Sequence, residues 1–157
     1  MTIKVQVPGR DDLVIENVVL DVNGTIALDG KLLAGVADRI ARLRELVRIV
    51  IVTADTHGGA VRLGEALGLE VVVLDAGDGG ARKLESLLRL GPDTTAAIGN
   101  GSNDALMLER TALGTCVIGK EGASTKALLK SDIVVTDICD AFDLLLSPRR
   151  ITATLRT

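Results

Sequence analysis

The chain has 157 residues, 47% of them apolar and 25% charged, with a net charge of −3. That is the composition of one globular domain with a real core, not of a disordered segment. The only aromatic residue is Phe142, so the base stacking used by single-stranded nucleic-acid binders has no source here, and the negative balance argues against a phosphate-backbone partner. No apolar run approaches the ~20 residues needed to cross a bilayer, and "MTIKVQVPGRDD" alternates instead of forming a signal-peptide core. Cys116 and Cys139 form neither a CxxC pair nor a disulfide framework. The expectations are no nucleic acid, no membrane and a cytoplasmic location.

In chain order, "TIKVQV", "PGRDD" and "LVIENVVLDV" predict a short N-terminal hairpin over residues 1–16 leading into a buried strand. Helix-like stretches follow near 33–46, 57–67, 80–90, 103–110, 123–129 and 137–146. Between them, Val- and Ile-rich runs near 48–52, 70–74, 95–98, 114–118 and 132–135 read as buried strands. In the first helix Leu33, Val36, Ala37, Ile40, Leu43 and Val47 recur at helical spacing. The tail at 147–157, "SPRRITATLRT", shows no helical period. Such alternation predicts an α/β fold, a doubly wound and mostly parallel sheet with helices on both faces, in one domain spanning 1–157.

Sheets of this kind bind ligands at the carboxyl ends of their strands, and the residues expected there are polar. After "VVLDV" stand Asp21, Asn23, Gly24 and Thr25. After "RIVIV" stand Thr53, Ala54, Asp55 and His57. After "TAAIG" stand Asn100, Gly101, Ser102, Asn103 and Asp104, while Lys83 lies near the start of a later helix. The chemistry these groups could support is phosphoryl transfer. Asp21 could attack phosphorus to give an aspartyl-phosphate, with Mg²⁺ held by Asp21 and Asp104. The Thr53 hydroxyl and turn amides would hold the transferring oxygens, Lys83 would neutralise their charge, and Gly24 would let the backbone approach closely. Ser102 or Asn103 would cap the helix beginning at Asp104. "GDGG" at 77–80 lacks both phosphate-loop signatures and reads as a strand-to-helix connection.

"LDVNGT", "VTADT", Lys83 and "IGNGSNDALML", in that order over residues 18 to about 110, resemble the four motifs of the haloacid dehalogenase (HAD) superfamily. Within it the chain resembles the phosphorylation domain of P-type ATPases and the small soluble proteins like that domain. The resemblance implies a Mg²⁺-dependent hydrolase or phosphotransferase acting on a phosphorylated substrate that the sequence does not identify. It implies Asp21 as nucleophile, with Asn23, Thr53 and Lys83 in catalysis. Gly24, Thr25, Thr53, Ala54 and Lys83 would meet phosphate; Asp21, Asn23 (through its backbone carbonyl), Asn100 and Asp104 would meet the metal; Asp55 and Asn103 would support the site. The segments after the first two motifs leave no room for a cap domain. Capless members often close their sites by oligomerising, which would also cover the edge of the N-terminal hairpin and makes a homo-oligomer an expectation.

Two residues depart from the family pattern. Asn23 stands where HAD phosphatases carry the general acid/base, which implies retained attack with slow dephosphorylation. Asn100 stands where a metal-binding Asp is usual, leaving Asp21 and Asp104 to hold the ion. These departures give the alternative reading, a catalytically weak HAD fold that binds phosphate, nucleotide or a protein. Both residues precede Gly, and deamidation of Asn-Gly would restore the two acids.

Overall fold

The computed structural model describes residues 1–157 throughout. It begins with a hairpin of β1 (Ile3–Val5) and β2 (Leu13–Ile15), antiparallel with Ile3 opposite Ile15. Ile3, Val5, Leu13 and Ile15 are buried and Lys4 is exposed, as expected of a strand pair with one face on a core. Then follow β3 (Asn17–Leu20), a small hairpin of β4 (Ala27–Leu28) and β5 (Lys31–Leu32), and α1 (Val36–Leu43). Next come β6 (Arg48–Thr53), α2 (Gly59–Leu67), β7 (Glu70–Val73), α3 (Gly79–Leu90), β8 (Thr95–Gly99) and α4 (Ala105–Arg110). The chain ends with β9 (Leu113–Val117), α5 (Thr125–Lys130), β10 (Ile133–Val135), α6 (Ile138–Leu146) and α7 (Pro148–Leu155).

Six strands make one parallel sheet in the order β10-β9-β8-β3-β6-β7. Successive side chains alternate between its faces. Val18, Leu20, Ile49, Ile51, Ala96 and Ile98 pack against α1 and α6 through Ile40, Leu43, Phe142 and Leu145. Val19, Val50, Val52, Ala97 and Cys116 face Leu87 of α3, Met107 and Leu108 of α4, and Ala127 of α5. Both faces of the central strands are covered, so those strands are mostly apolar. From β3 the chain winds outward through β6 and β7, then returns to the other side of β3 for β8, β9 and β10. The order reverses between β3 and β8, and that reversal opens a crevice at the carboxyl ends of those two strands.

One sequence-based expectation needs correction. The tail is not irregular: Pro148 starts α7, whose Ile151 is wholly buried. A single inward residue in eight leaves little periodic signal, which is why the pattern hides the helix. Helix α7 packs on the N-terminal hairpin, where Thr152 Oγ1 donates to Gln6 O at 2.7 Å and Thr157 N to Pro8 O at 3.3 Å. The β4–β5 hairpin carries no sequence signal of its own, since two-residue strands are too short to show alternation.

Candidate active site

The residues after β3 leave the sheet sharply. Gly24 adopts φ +75 and its N–H donates to Ala27 O at 2.9 Å, a turn that a side chain would strain. Asp21 ends β3 at the crevice, fixed by its N–H to Ile98 O at 3.1 Å. The C-terminal ends of β6 and β8 bring Thr53 and Asn100 beside it, and α3 supplies Lys83. An open cleft of about 440 Å³ results, lined by Asp21, Asn23, Thr53, Ala54, Asp55, Thr56, His57, Lys83, Asn100, Gly101, Asn103 and Glu121. A second, more apolar cleft of about 430 Å³ lies between the β4–β5 hairpin and the ends of β9 and β10. Asp21, Asp55, Lys83 and Glu121 line the first, Lys120 and Asp137 the second.

Lys83 is the centre of the charge arrangement. Although a lysine, it is 1% exposed, and its ammonium donates to Asp21 Oδ1 and to Asp104 Oδ1, both at 2.6 Å. Burial works against the Lys83 ammonium, but Asp21 and Asp104 outweigh it and raise its pKa. Asp21 responds the other way: burial and then the Asp104 charge push it up to about 6, against the lowering pull of Lys83. Two carboxylates thus share one ammonium. The arrangement favours a carboxylate whose second oxygen, Oδ2, is left for other partners. The Thr25 hydroxyl lies 3.2 Å from that oxygen and 3.1 Å from Asn100 Oδ1, and its single proton serves one of them at a time.

Asp104, expected to meet the metal, makes other bonds in this structure. It is wholly buried, Oδ1 is taken by Lys83, and Oδ2 accepts the N–H groups of Asn100 (3.0 Å) and Gly101 (2.9 Å). Its role in the structure is to orient Lys83 and to tie down the turn after β8. Gly99 permits this, because a Cβ there would collide with the Asp104 carboxylate. The Thr25 side chain is likewise wholly buried, with its hydroxyl between Asp21 and Asn100. Neither Ser102 nor Asn103 makes a capping bond; the turn amides are taken by Asp104 instead, and Asn103 stands exposed at the cleft.

The remaining residues behave as their chemistry suggests. Thr53 Oγ1 accepts the Asp55 N–H at 3.0 Å, so its own proton is free for the cleft. Asp55 caps the start of α2, accepting from His57 N at 2.8 Å and Ala60 N at 3.3 Å, and these bonds hold its carboxyl below the usual range. His57 is exposed at the rim. Asp78 of "GDGG" caps α3 through Gly80 N and Ala81 N. Deamidation needs the amide nitrogen of the following residue to attack the Asn side chain. Gly24 N is committed to Ala27 O and Gly101 N to Asp104 Oδ2, so the turns oppose restoration of either acid.

Sequence reasoning missed Glu121. It lies in the loop after β9, exposed and lining the cleft opposite Asp21. The signal was available: "GKEG" follows an apolar strand, and the strand-end rule that picked out Asp21, Thr53 and Asn100 applies equally to β9.

The donors present suit a hard cation that keeps several waters. No cluster of three or more His, Cys, Asp or Glu side chains is placed to hold a metal. Asp21, Asn100 and Glu121 line one cleft with oxygen-bearing side chains, a donor type that suits Mg²⁺ completed by water and phosphate.

The architecture resembles solved structures of hydrolases. The cobalt-bound deoxy-D-mannose-octulosonate 8-phosphate phosphatase of Haemophilus influenzae matches with a TM-score of 0.72 at 16% identity, over 91% of this chain and 94% of that one. The 3-deoxy-D-manno-octulosonate 8-phosphate phosphatase of Moraxella catarrhalis, solved with magnesium, phosphate and KDO, matches with a TM-score of 0.67 at 17% identity, over 88% and 90%. A zinc-transporting PIB-type ATPase in its E2·Pi state matches with a TM-score of 0.65 at 25% identity, over 78% of this chain and 20% of the transporter. The fold is therefore that of the HAD-superfamily hydrolases. No protein-family model matches the chain. An uncharacterized protein of Methanocaldococcus jannaschii is 55% identical over 74 residues, 46% of this chain and 80% of that protein. A second from the same organism is 51% identical over 39 residues, 25% of this chain and 89% of that protein. The chain belongs to the same family as these two proteins. No helix is long and apolar enough to cross a membrane.

Proposed function

We propose that the chain is a Mg²⁺-dependent phosphohydrolase or phosphotransferase working through a phospho-aspartate on Asp21, with slow dephosphorylation. One observation carries the reading: Lys83 pins Asp21 Oδ1 at 2.6 Å and leaves Oδ2 with only the Thr25 hydroxyl beside it, in a residue that lines the open cleft. A nucleophile held by one oxygen presents the other in a fixed direction, which is how positioning lowers a displacement barrier. The Mg²⁺ and phosphate in the Moraxella catarrhalis phosphatase structure support the same chemistry for this cleft.

Asp21 Oδ2 attacks phosphorus in line with the ester oxygen; the new O–P bond forms as the leaving-group bond breaks. The Thr53 hydroxyl and the amide of Ala54 receive the equatorial oxygens, and Lys83 stabilises their charge. Asp21, the Asn23 carbonyl and Asn100 would hold Mg²⁺, which supplies Lewis-acid charge stabilisation when bound. Asn23 cannot protonate the leaving group, so good leaving groups are favoured. It cannot deprotonate water either, so the phospho-aspartate is long-lived. Asp55 is no substitute, since both its oxygens accept backbone N–H groups. The substrate is a phosphorylated compound, and the cleft is polar and open enough for a large one.

The test is fluoroberyllate, a mimic of the aspartyl-phosphate, added with Mg²⁺ to wild type and Asp21→Asn, followed by a phosphate-ester screen. Binding by wild type alone, with phosphorylated protein accumulating on a reactive ester, is the expected result. No binding by wild type would overturn the enzyme reading. Asn23 and Asn100 favour a second reading, a phosphate- or nucleotide-binding module without turnover; fluoroberyllate binding together with measurable release of phosphate would remove it.

A further inference from the structure

Asn100 is puzzling only if the residue is judged by charge. Its side chain makes two bonds, and one of them is impossible for Asp. Nδ2 donates to Gly122 O at 3.2 Å, while Oδ1 accepts from Thr25 at 3.1 Å. Its backbone carbonyl also accepts the Ser124 N–H at 2.8 Å. The loop after β9 is thereby fastened to Asn100 on both sides of Ala123. A tight turn completes the fixing, with Gly122 at φ +72 donating its N–H to Gly119 O at 3.0 Å. The residue at the crest of that turn is Glu121.

The Glu121 carboxylate points back into the cleft. A Cβ on Gly24 would collide with Glu121 Oε2 on one side and Asn100 Nδ2 on the other. The acid therefore sits directly over the turn that follows Asp21, beside the amide that replaces the usual acid. It makes no hydrogen bond and no ion pair with any side chain, and seven ion pairs elsewhere involve other residues. A glutamate with no protein partner, held against Asn100 by a loop that Asn100 itself anchors, is a carboxylate returned to the site by another route.

We propose that Glu121 supplies the negatively charged oxygen to the divalent cation that Asn100 cannot, and that Asn100 is the positioning residue that holds the Glu121 loop in place. The inference rests on the proposed Mg²⁺-dependent function and names a ligand beyond those that the motifs suggest. Asp at position 100 would bring charge but set a carboxylate against the Gly122 carbonyl; Asn with Glu121 keeps both the charge and the loop.

The experiment is titration of the intact protein with Mn²⁺ as a paramagnetic stand-in for Mg²⁺, read by electron paramagnetic resonance with fluoroberyllate present and no turnover. Glu121→Gln should weaken Mn²⁺ about 10-fold or more with an unchanged melting temperature, since Glu121 is exposed. Asn100→Asp placed in the Glu121→Gln background should recover most of that loss. Equal affinity of wild type and Glu121→Gln overturns the proposal, including the case where the variant only slows phosphoenzyme turnover, as loss of a general base would. A double variant no better than Glu121→Gln also overturns it. Wild type that binds Mn²⁺ while Glu121→Gln matches it removes this inference alone; wild type that binds neither Mn²⁺ nor fluoroberyllate removes the proposed function with it.

Discussion

Asp21→Asn should make this protein more stable at neutral pH, and by an amount set by the shared ammonium. In wild type, burial and the Asp104 charge raise the Asp21 pKa from 3.8 to about 6. Below pH 3.8 folded and unfolded chains both carry the proton. Between 3.8 and 6 the unfolded chain has released it while the folded chain retains it, so the fold loses stability as pH rises through that window. Above pH 6 the loss is complete and constant. At ~1.4 kcal/mol per pH unit the ionised Asp21 costs the fold on the order of 3 kcal/mol.

Asn carries no charge to be desolvated beside Asp104, and its side-chain oxygen can still accept from Lys83. The open cleft leaves its amide N–H groups to water. Asp21→Asn should therefore gain about 1–3 kcal/mol at pH 8, a rise in Tm of roughly 2–10 °C for a domain of this size. The gain should shrink through pH 6 and vanish near pH 4. Thermal unfolding at pH 4, 6 and 8 in a chelator, so that no cation offsets the charge, reads it directly. A variant that melts below wild type at pH 8, or a difference that ignores pH, would refute the account of the triad.

Asn23→Asp should speed decay of the phosphorylated protein by ~10²-fold or more, because it restores a general acid/base; single-turnover decay of the phospho-aspartate measures it, and an unchanged rate counts against the role given to position 23. Lys83→Ala should cost about 3–5 kcal/mol in denaturant unfolding, since it strands the wholly buried Asp104; a loss under 1 kcal/mol would mean the ion pairs are not formed. Ile151→Ala should cost about 2–4 kcal/mol by leaving a cavity under α7, without altering fluoroberyllate binding. Peptide mass spectrometry should find Asn23 and Asn100 unmodified after prolonged incubation of the native protein, and modified once it is unfolded.

The parallel sheet was legible because its strands are buried on both faces and read as continuous Val and Ile runs. Asp21, Thr53, Lys83 and Asn100 were legible as a set because one end of such a sheet collects the polar residues. What escaped has physical reasons. Asp104 is legible as an acid, but a sequence does not show how many N–H groups it already accepts. Thr25 is legible as a hydroxyl, but spacing does not report which way it turns. Helix α7 escaped because only Ile151 points fully inward, and Glu121 because an exposed acid between glycines resembles any solvated loop.

The charge arrangement also constrains the order of events. Lys83 offsets one of its two carboxylates, so the buried triad carries a net charge near −1, and Glu121 adds another at the mouth of the same cleft. A phosphate dianion entering that field meets repulsion before it meets Lys83, which lies 1% exposed behind Asp21. A divalent cation reverses the sign of the field in the cleft that Asp21, Asn100 and Glu121 line. Cation binding should therefore precede phosphate binding, and the affinity for fluoroberyllate should rise with Mg²⁺ and saturate. By the same reciprocity fluoroberyllate should tighten Mg²⁺. Equal fluoroberyllate affinity with and without the cation would mean that Lys83 and the turn amides alone carry the anion.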